Sequence, residues 1–152
     1  MLSEHTRQQV SATAAWVLCA SIAMLFAGLT SAMVVRRNMA GDWEGVPLPP
    51  LIWVNTSLLI ISSLVLHVGW RRSAWILGVA FLTGQAFVWR DLPAAQPGDW
   101  FLWVFSLLHA AHTIGGIIAL IWAREAAARI YWHFLTGLWI YLMFLFAIWG
   151  QA

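Results

Sequence analysis

Residues 100–123, WFLWVFSLLHAAHTIGGIIALIWA, contain no charged side chain in 24 positions. A helix crossing a bilayer needs about 20 mostly apolar residues, because lipid offers backbone N–H and C=O groups no partner except one another. Working outward, four further stretches qualify, so the spans fall at about 12–35, 49–70, 74–89, 100–123 and 131–149. The third is short, roughly 24 Å as a helix. Arg71, Arg72 and Arg90 flank it, and their long side chains can reach the interfaces from a short span. The composition agrees: 62% of the residues are hydrophobic and only 9% charged, against about 25% charged in soluble domains. The expected fold is all-α, a polytopic membrane bundle of five transmembrane helices, with residues 1–152 forming a single integral membrane domain.

This organisation restricts what the chain can do. The longest connection, RNMAGDWEGVPLPP at 37–50, is a loop rich in Gly and Pro, too short for a soluble catalytic domain. A net charge of +2 is too small to indicate nucleic acid. The lone Cys19 lies in an apolar run, where it can form neither an intrachain disulfide nor a zinc site. The first apolar run is too long for the core of a signal peptide and reads as a retained helix. With a cytoplasmic N-terminus, Arg7, Arg71, Arg72, Arg124 and Arg129 lie inside, and Arg36, Arg37 and Arg90 outside. The excess of inside arginines predicts that orientation, with a periplasmic C-terminus. Trp53, Trp70, Trp75, Trp89, Trp100, Trp122, Trp132 and Trp149, at the ends of the spans, suit the interfacial aromatic belts.

Polar residues inside spans point most directly to function. In the second span Asn55, Thr56, Ser62, Ser63 and His67 share a sector of about 140 degrees, which interhelical hydrogen bonds account for without chemistry. His109, His112 and Gly116 share a face of the fourth span. A stripe of Ala111, Gly115 and Ala119 there, and one of Ala23, Ala27 and Ser31 in the first span, have the spacing that lets helices approach closely. His67 and His133 lie near the same end of their spans, the depth match that a bis-histidine haem requires. His109 and His112 lie near the midplane, and no span carries an interior carboxylate to complete a metal site. No catalytic, cofactor-binding or metal-ligating residue is therefore expected. His109 and His112 are expected to hydrogen-bond across to neighbouring helices, with Gly116 making room. Tyr131, Trp132 and His133 form an aromatic entry to the fifth span, beside a Glu125–Arg129 pair at a spacing of four.

In chain order, five segments resemble subunit III of the haem-copper respiratory oxidases. ASIAMLFAG (20–28) is similar to that family's Ala-Ser-Glu-x-Met-x-Phe-Ala-Gly, and LPPLIWVNTSLLIISS (48–63) to its Pro-x-x-x-x-Asn-Thr-x-Leu-Leu-x-x-Ser-Ser helix. QAFVWRDL (85–92) resembles Gln-x-x-Glu-Trp-x-x-Leu, and HAAHTIGG (109–116) matches His-Gly-x-His-Val-x-x-Gly. EAAARIYWHFLTGLWIYLMFL (125–145) resembles the final Glu-x-x-x-x-Tyr-Trp-His-Phe-x-Asp-x-x-Trp helix. The resemblance covers residues 12–149 and suits the family's five-helix bacterial form. Family acids are replaced by Ile22, Val88 and Thr136.

The resemblance implies a non-catalytic subunit of a bacterial terminal oxidase, with no cofactor in this chain and haem and copper in the catalytic partners. It implies docking on catalytic subunit I, and two groups of helices around a V-shaped cleft holding phospholipid. It also implies a place in the cytoplasmic membrane and in the aerobic electron-transport chain, from cytochrome c or a quinol to oxygen. The missing acids argue against a role in proton uptake. Two alternatives stay open: the resemblance equally allows the related accessory subunit of a nitric oxide reductase, and the residues themselves allow a small b-type cytochrome with haem on His67 and His133.

Overall fold

The computed structural model describes residues 4–39 and 41–151. These form five helices: α1 (Glu4–Met39), α2 (Pro50–His67), α3 (Arg71–Asp91), α4 (Pro97–Trp122) and α5 (Glu125–Ile148). Four of them, α1, α2, α4 and α5, are long and apolar enough to cross a membrane. At 21 residues α3 matches a span in length, but Gln85, Thr83 and its terminal arginines leave it less apolar than the others.

The helices run past the apolar stretches that predict them. α1 begins at Glu4 rather than near residue 12, and α5 at Glu125 rather than near 131. An apolar run marks a slab of membrane, whereas the hydrogen-bond ladder of a helix continues into water. Glu4 and Glu125 sit in the first turns of these helices, where a negative charge offsets the helix dipole. Pro50 and Pro97 stand at the starts of α2 and α4, where a missing N–H costs nothing. α2 stops at His67 because Gly69 takes a φ of +94°, a left-handed conformation that only glycine adopts without strain.

Gly69 turns the chain at once into α3, so α2 and α3 form a tight antiparallel hairpin. α5 packs on α1, α2 and α4, and α3 packs on α4. The bundle is therefore continuous, and the expected division into two groups around a cleft is not seen among the described residues. The physical reason is the polar face of α2: it is buried, and its partners are on α3 and α5. α1 lies at the edge, against α5 and α4, burying Cys19, Ile22, Phe26 and Met33. Its Ala23, Ala27 and Ser31 stripe faces outward, so close approach to another helix of this chain is not its use.

The largest buried side chains are Trp132, Trp139, Phe26, Phe81, Phe105 and Phe146. Trp132 is thus a core residue, 1% exposed, and not part of an interfacial belt. Its neighbours show why. A Cβ on Gly78 would come within 2.5 Å of the Trp132 ring, and one on Gly116 within 3.0 Å of it. These two glycines leave the indole its space. Trp53, Trp70, Trp100, Trp122 and Trp149 are exposed, as a belt requires.

The two ends of the bundle are closed differently. At one, Arg124 bonds Glu4 at 3.0 Å, tying the α4–α5 turn to the start of α1. The Arg71 guanidinium donates to the carbonyls of Ala119 (3.0 Å), Leu120 and Ala123 (2.7 Å), at and just past the C-terminus of α4, where helix carbonyls lack intrahelical partners; the Ala119 carbonyl also accepts the Ala123 N–H at 2.9 Å. At the other end, Val46 N–H donates to Gly150 O at 2.9 Å and Arg37 to Gln151 O at 2.8 Å. Arg36 grips Asp42 there with two bonds of 2.8 Å, and its guanidinium holds the Asp42 carboxyl below the usual carboxylate range. Glu4 and Gln151 therefore stand at opposite ends of the bundle.

Candidate functional site

Four of the five polar side chains singled out in α2, Asn55, Thr56, Ser62 and Ser63, line one buried seam, and His67 is exposed at its end. Asn55 is 1% exposed, and its amide donates to Phe81 O and to Gln85 Oε1 of α3, each at 3.4 Å. Thr56 donates back to Ile52 O at 2.8 Å and accepts the Trp139 indole N–H of α5 at 3.0 Å. One and a half turns on, Ser62 donates to Ala74 O of α3 at 2.7 Å and accepts the Trp132 indole N–H at 3.0 Å. Ser63 lies 2.5 Å from His133 Nδ1. A face whose residues follow the helical repeat thus meets α3 on one flank and α5 on the other. The seam joins three helices where lipid could satisfy none of these groups.

Gln85, Gly84 and Trp139 are parts of the seam that the sequence did not single out. A Cβ on Gly84 would lie 2.1 Å from Asn55 Oδ1, so the glycine is what allows the Asn55–Gln85 contact. Nothing in a glycine flanked by Thr83 and Gln85 signals a facing asparagine. Thr136 and Trp139 lie one and two turns beyond Trp132, and Thr136 spends its hydroxyl on Trp132 O at 3.1 Å within its own helix.

His109 and His112 do not make the expected cross-helix bonds. His109 is fully buried, and neither ring nitrogen has a hydrogen-bond partner among the described residues. Its ring lies 4.7 Å from that of Trp139 and 5.9 Å edge-on from that of Phe81. Aromatic rings from α5 and α3 fill the depth at which polar partners were expected. His112 Nδ1 lies 2.6 Å from Leu108 O of its own helix, and its ring meets Phe26 edge-on at 5.9 Å. Gly116 makes room for Trp132 and Leu135 of α5 rather than for a histidine contact. Tyr131 is buried and donates to His112 O at 3.2 Å, so the α4–α5 contact at this level is held by a backbone carbonyl.

His67 and His133 do come together, with ring centroids 5.8 Å apart and planes at 55°. One turn deeper, Trp132–Ser62 and Ser63–His133 bonds hold α5 directly against α2. That contact leaves no slot for a macrocycle between the two imidazoles, as a bis-histidine haem requires. Among the described residues no group of three or more His, Cys, Asp or Glu is gathered in the way a metal centre with a full protein ligand set needs. Ile22, Val88 and Thr136, which stand where the resemblance has acids, are all buried.

Most of the polar groups in the seam are spent on joining helices. No family model matches the chain. Cytochrome c oxidase subunit 3 of Thermostichus vulcanus is 29% identical, over 87% of this chain and 84% of the relative. Cytochrome c oxidase subunit 3 of Synechocystis sp. is 28% identical, over 80% of this chain and 68% of the relative. A probable cytochrome c oxidase subunit 3 of Mycobacterium tuberculosis is 28% identical, over 78% of each chain. The molecule is a multi-pass helical membrane protein that is similar over most of its length to cytochrome c oxidase subunit 3.

Proposed function

We propose that this chain is a five-span, subunit III-like component of a bacterial haem-copper terminal oxidase, in the cytoplasmic membrane with its N-terminus inside and its C-terminus in the periplasm. It carries no redox centre of its own; haem and copper reside in the partner catalytic subunits, which take electrons from cytochrome c or a quinol to oxygen. Its role is to dock on catalytic subunit I and stabilise it during turnover. Phospholipid lies along its exposed apolar surface, which includes Val10, Val17 and Leu18 on the outer face of α1.

The observation that carries this reading is the extent of the similarity, 87% of this chain and 84% of the first relative, which a shared local motif would not produce. The use of the seam supports it: side chains consumed in helix-to-helix bonds suit a scaffold. The burial of Ile22, Val88 and Thr136 supports a scaffold that moves no protons, since each apolar or hydroxyl side chain occupies interior space where a carboxyl could have relayed one.

The test is purification from the native membrane in mild detergent. Co-isolation with a chain rich in haem and copper ligands, together with oxygen reduction by the complex, is the expected result. Nitric oxide reduction without oxygen reduction would move the chain to the other complex. A haem absorption band from the isolated 152-residue chain would sink the proposal in favour of a small cytochrome.

A further inference from the structure

We propose that His67 and His133 form a binding site for a single divalent transition-metal ion of the zinc class, at the end of the bundle where α2 finishes and α5 begins. This goes beyond the scaffold role and does not depend on it.

Three features of the pair point to a metal. The first is spacing. Zinc binds an imidazole nitrogen at 2.0–2.1 Å, so two imidazoles sharing one ion at a tetrahedral angle have ring centres about 5 Å apart, and nearer 6 Å as the angle opens. The observed centroid separation is 5.8 Å. A small closing movement, or a wide angle, brings both rings to one ion.

The second is the state of the His133 ring. Its Nε2 is buried and has no hydrogen-bond partner among the described residues. A buried polar nitrogen left unpaired is costly, and such groups are few in folded proteins. Here the orphan nitrogen belongs to the histidine that faces a second histidine.

The third is Ser63, whose Oγ lies 2.5 Å from His133 Nδ1. Metal-bound histidines donate their other ring N–H to an oxygen, which fixes the tautomer and aims the free lone pair. With Ser63 accepting from Nδ1–H, the lone pair is on Nε2, the atom that lacks a partner. Ser63 is thereby a positioning residue for the ion.

The setting decides what kind of ion and how it enters. His67 is exposed at the last turn of α2, so the site opens to water on one side. No third His, Cys, Asp or Glu joins the pair among the described residues, so water completes the coordination. Arg129, one turn before His133, is a repelling charge, but its guanidinium is bound to Glu125. Two neutral nitrogens with water favour zinc, nickel or copper over magnesium or calcium, which take oxygen ligands. The contact between α2 and α5 that excludes a macrocycle is no obstacle to an ion.

The experiment uses the full chain in detergent, purified with a tag free of histidine and titrated with Zn²⁺ against a chromophoric chelator; Co²⁺ absorption reports the geometry. One equivalent of Zn²⁺ is expected, insensitive to Mg²⁺, lost in His67→Gln and in His133→Gln, and kept in His5→Gln. Ser63→Ala should weaken binding about tenfold, the effect typical of losing a partner that orients a ligand. His67→Gln lies at an exposed helix end, so it tests the site even if His133→Gln fails to fold. Absence of stoichiometric Zn²⁺ uptake by the wild type, or uptake unchanged in His67→Gln, would overturn the proposal.

Discussion

His109 packs its ring between Trp139 and Phe81, with neither nitrogen bonded among the described residues, so its contribution to the bundle is that of an aromatic disc. A polar group that bonds nothing can be exchanged for an apolar one of similar shape at little cost, whereas a cavity in its place is expensive. His109→Phe should therefore leave the stability of the detergent-solubilised protein within about 1 kcal/mol of wild type. His109→Ala, which empties the space beside Trp139, should cost about 3 kcal/mol. Thermal unfolding followed by circular dichroism separates the two; equal damage from both variants would mean that the nitrogens are bonded after all. The sequence placed His109 correctly on a buried face, because a helical repeat fixes which residues share a side. What faces it is not legible there. Phe81 and Trp139 come from α3 and α5, and only the packing of the helices sets their depth.

The helices show the same division between local and distant information. The seam of α2 was readable, since Asn55, Thr56, Ser62 and Ser63 follow the helical repeat and all four are buried. Its partners on α3 and α5 were not, because Gln85 and the indoles of Trp132 and Trp139 look in sequence like any span's polar or aromatic residues. Arg71 is the clearest case. Its position before an apolar run suggests a side chain reaching for the interface, yet in the fold it closes the C-terminus of α4 through Ala119, Leu120 and Ala123. The connection spans some fifty residues, and no local pattern carries it. A guanidinium on three carbonyls at a helix end combines charge-assisted bonds with the favourable dipole end of the helix, together worth about 2 kcal/mol in a partly buried place. Arg71→Ala should lose about that much stability, and amide exchange should quicken in the last turn of α4 and the turn into α5. Arg71→Lys, with one point charge in place of a planar fork, should recover only part of it. Unchanged exchange in Arg71→Ala would show that water caps α4 equally well.

At the scale of the whole molecule, the open question is whether all five helices cross the bilayer, and α3 decides it. Four helices have the apolar length; α3 has the length without the same apolarity, and its hairpin partner α2 covers part of its polar face, Gln85 included. A helix shielded in this way can cross with a composition that would fail alone, since the cost of a polar side chain in lipid falls when a neighbour bonds it. The fold gives this an observable form. Glu4 is tied to Arg124 at one end of the bundle, and Gln151 lies against Val46 and Arg37 at the other. An odd number of crossings puts the chain termini on opposite sides; if α3 stays in the interface, four crossings return them to one side. The arginine distribution predicts the N-terminus inside. A C-terminal alkaline phosphatase fusion should therefore be active in the periplasm, and a fluorescent protein at the N-terminus should mature in the cytoplasm. A single cysteine replacing Ser73, with Cys19 removed, should react with impermeant reagents only from the cytoplasmic side, whereas one replacing Pro93 should react from the periplasm. Labelling of both positions from one side would show that α3 does not cross, and that the bundle sits in the membrane as four spans with α3 lying against them.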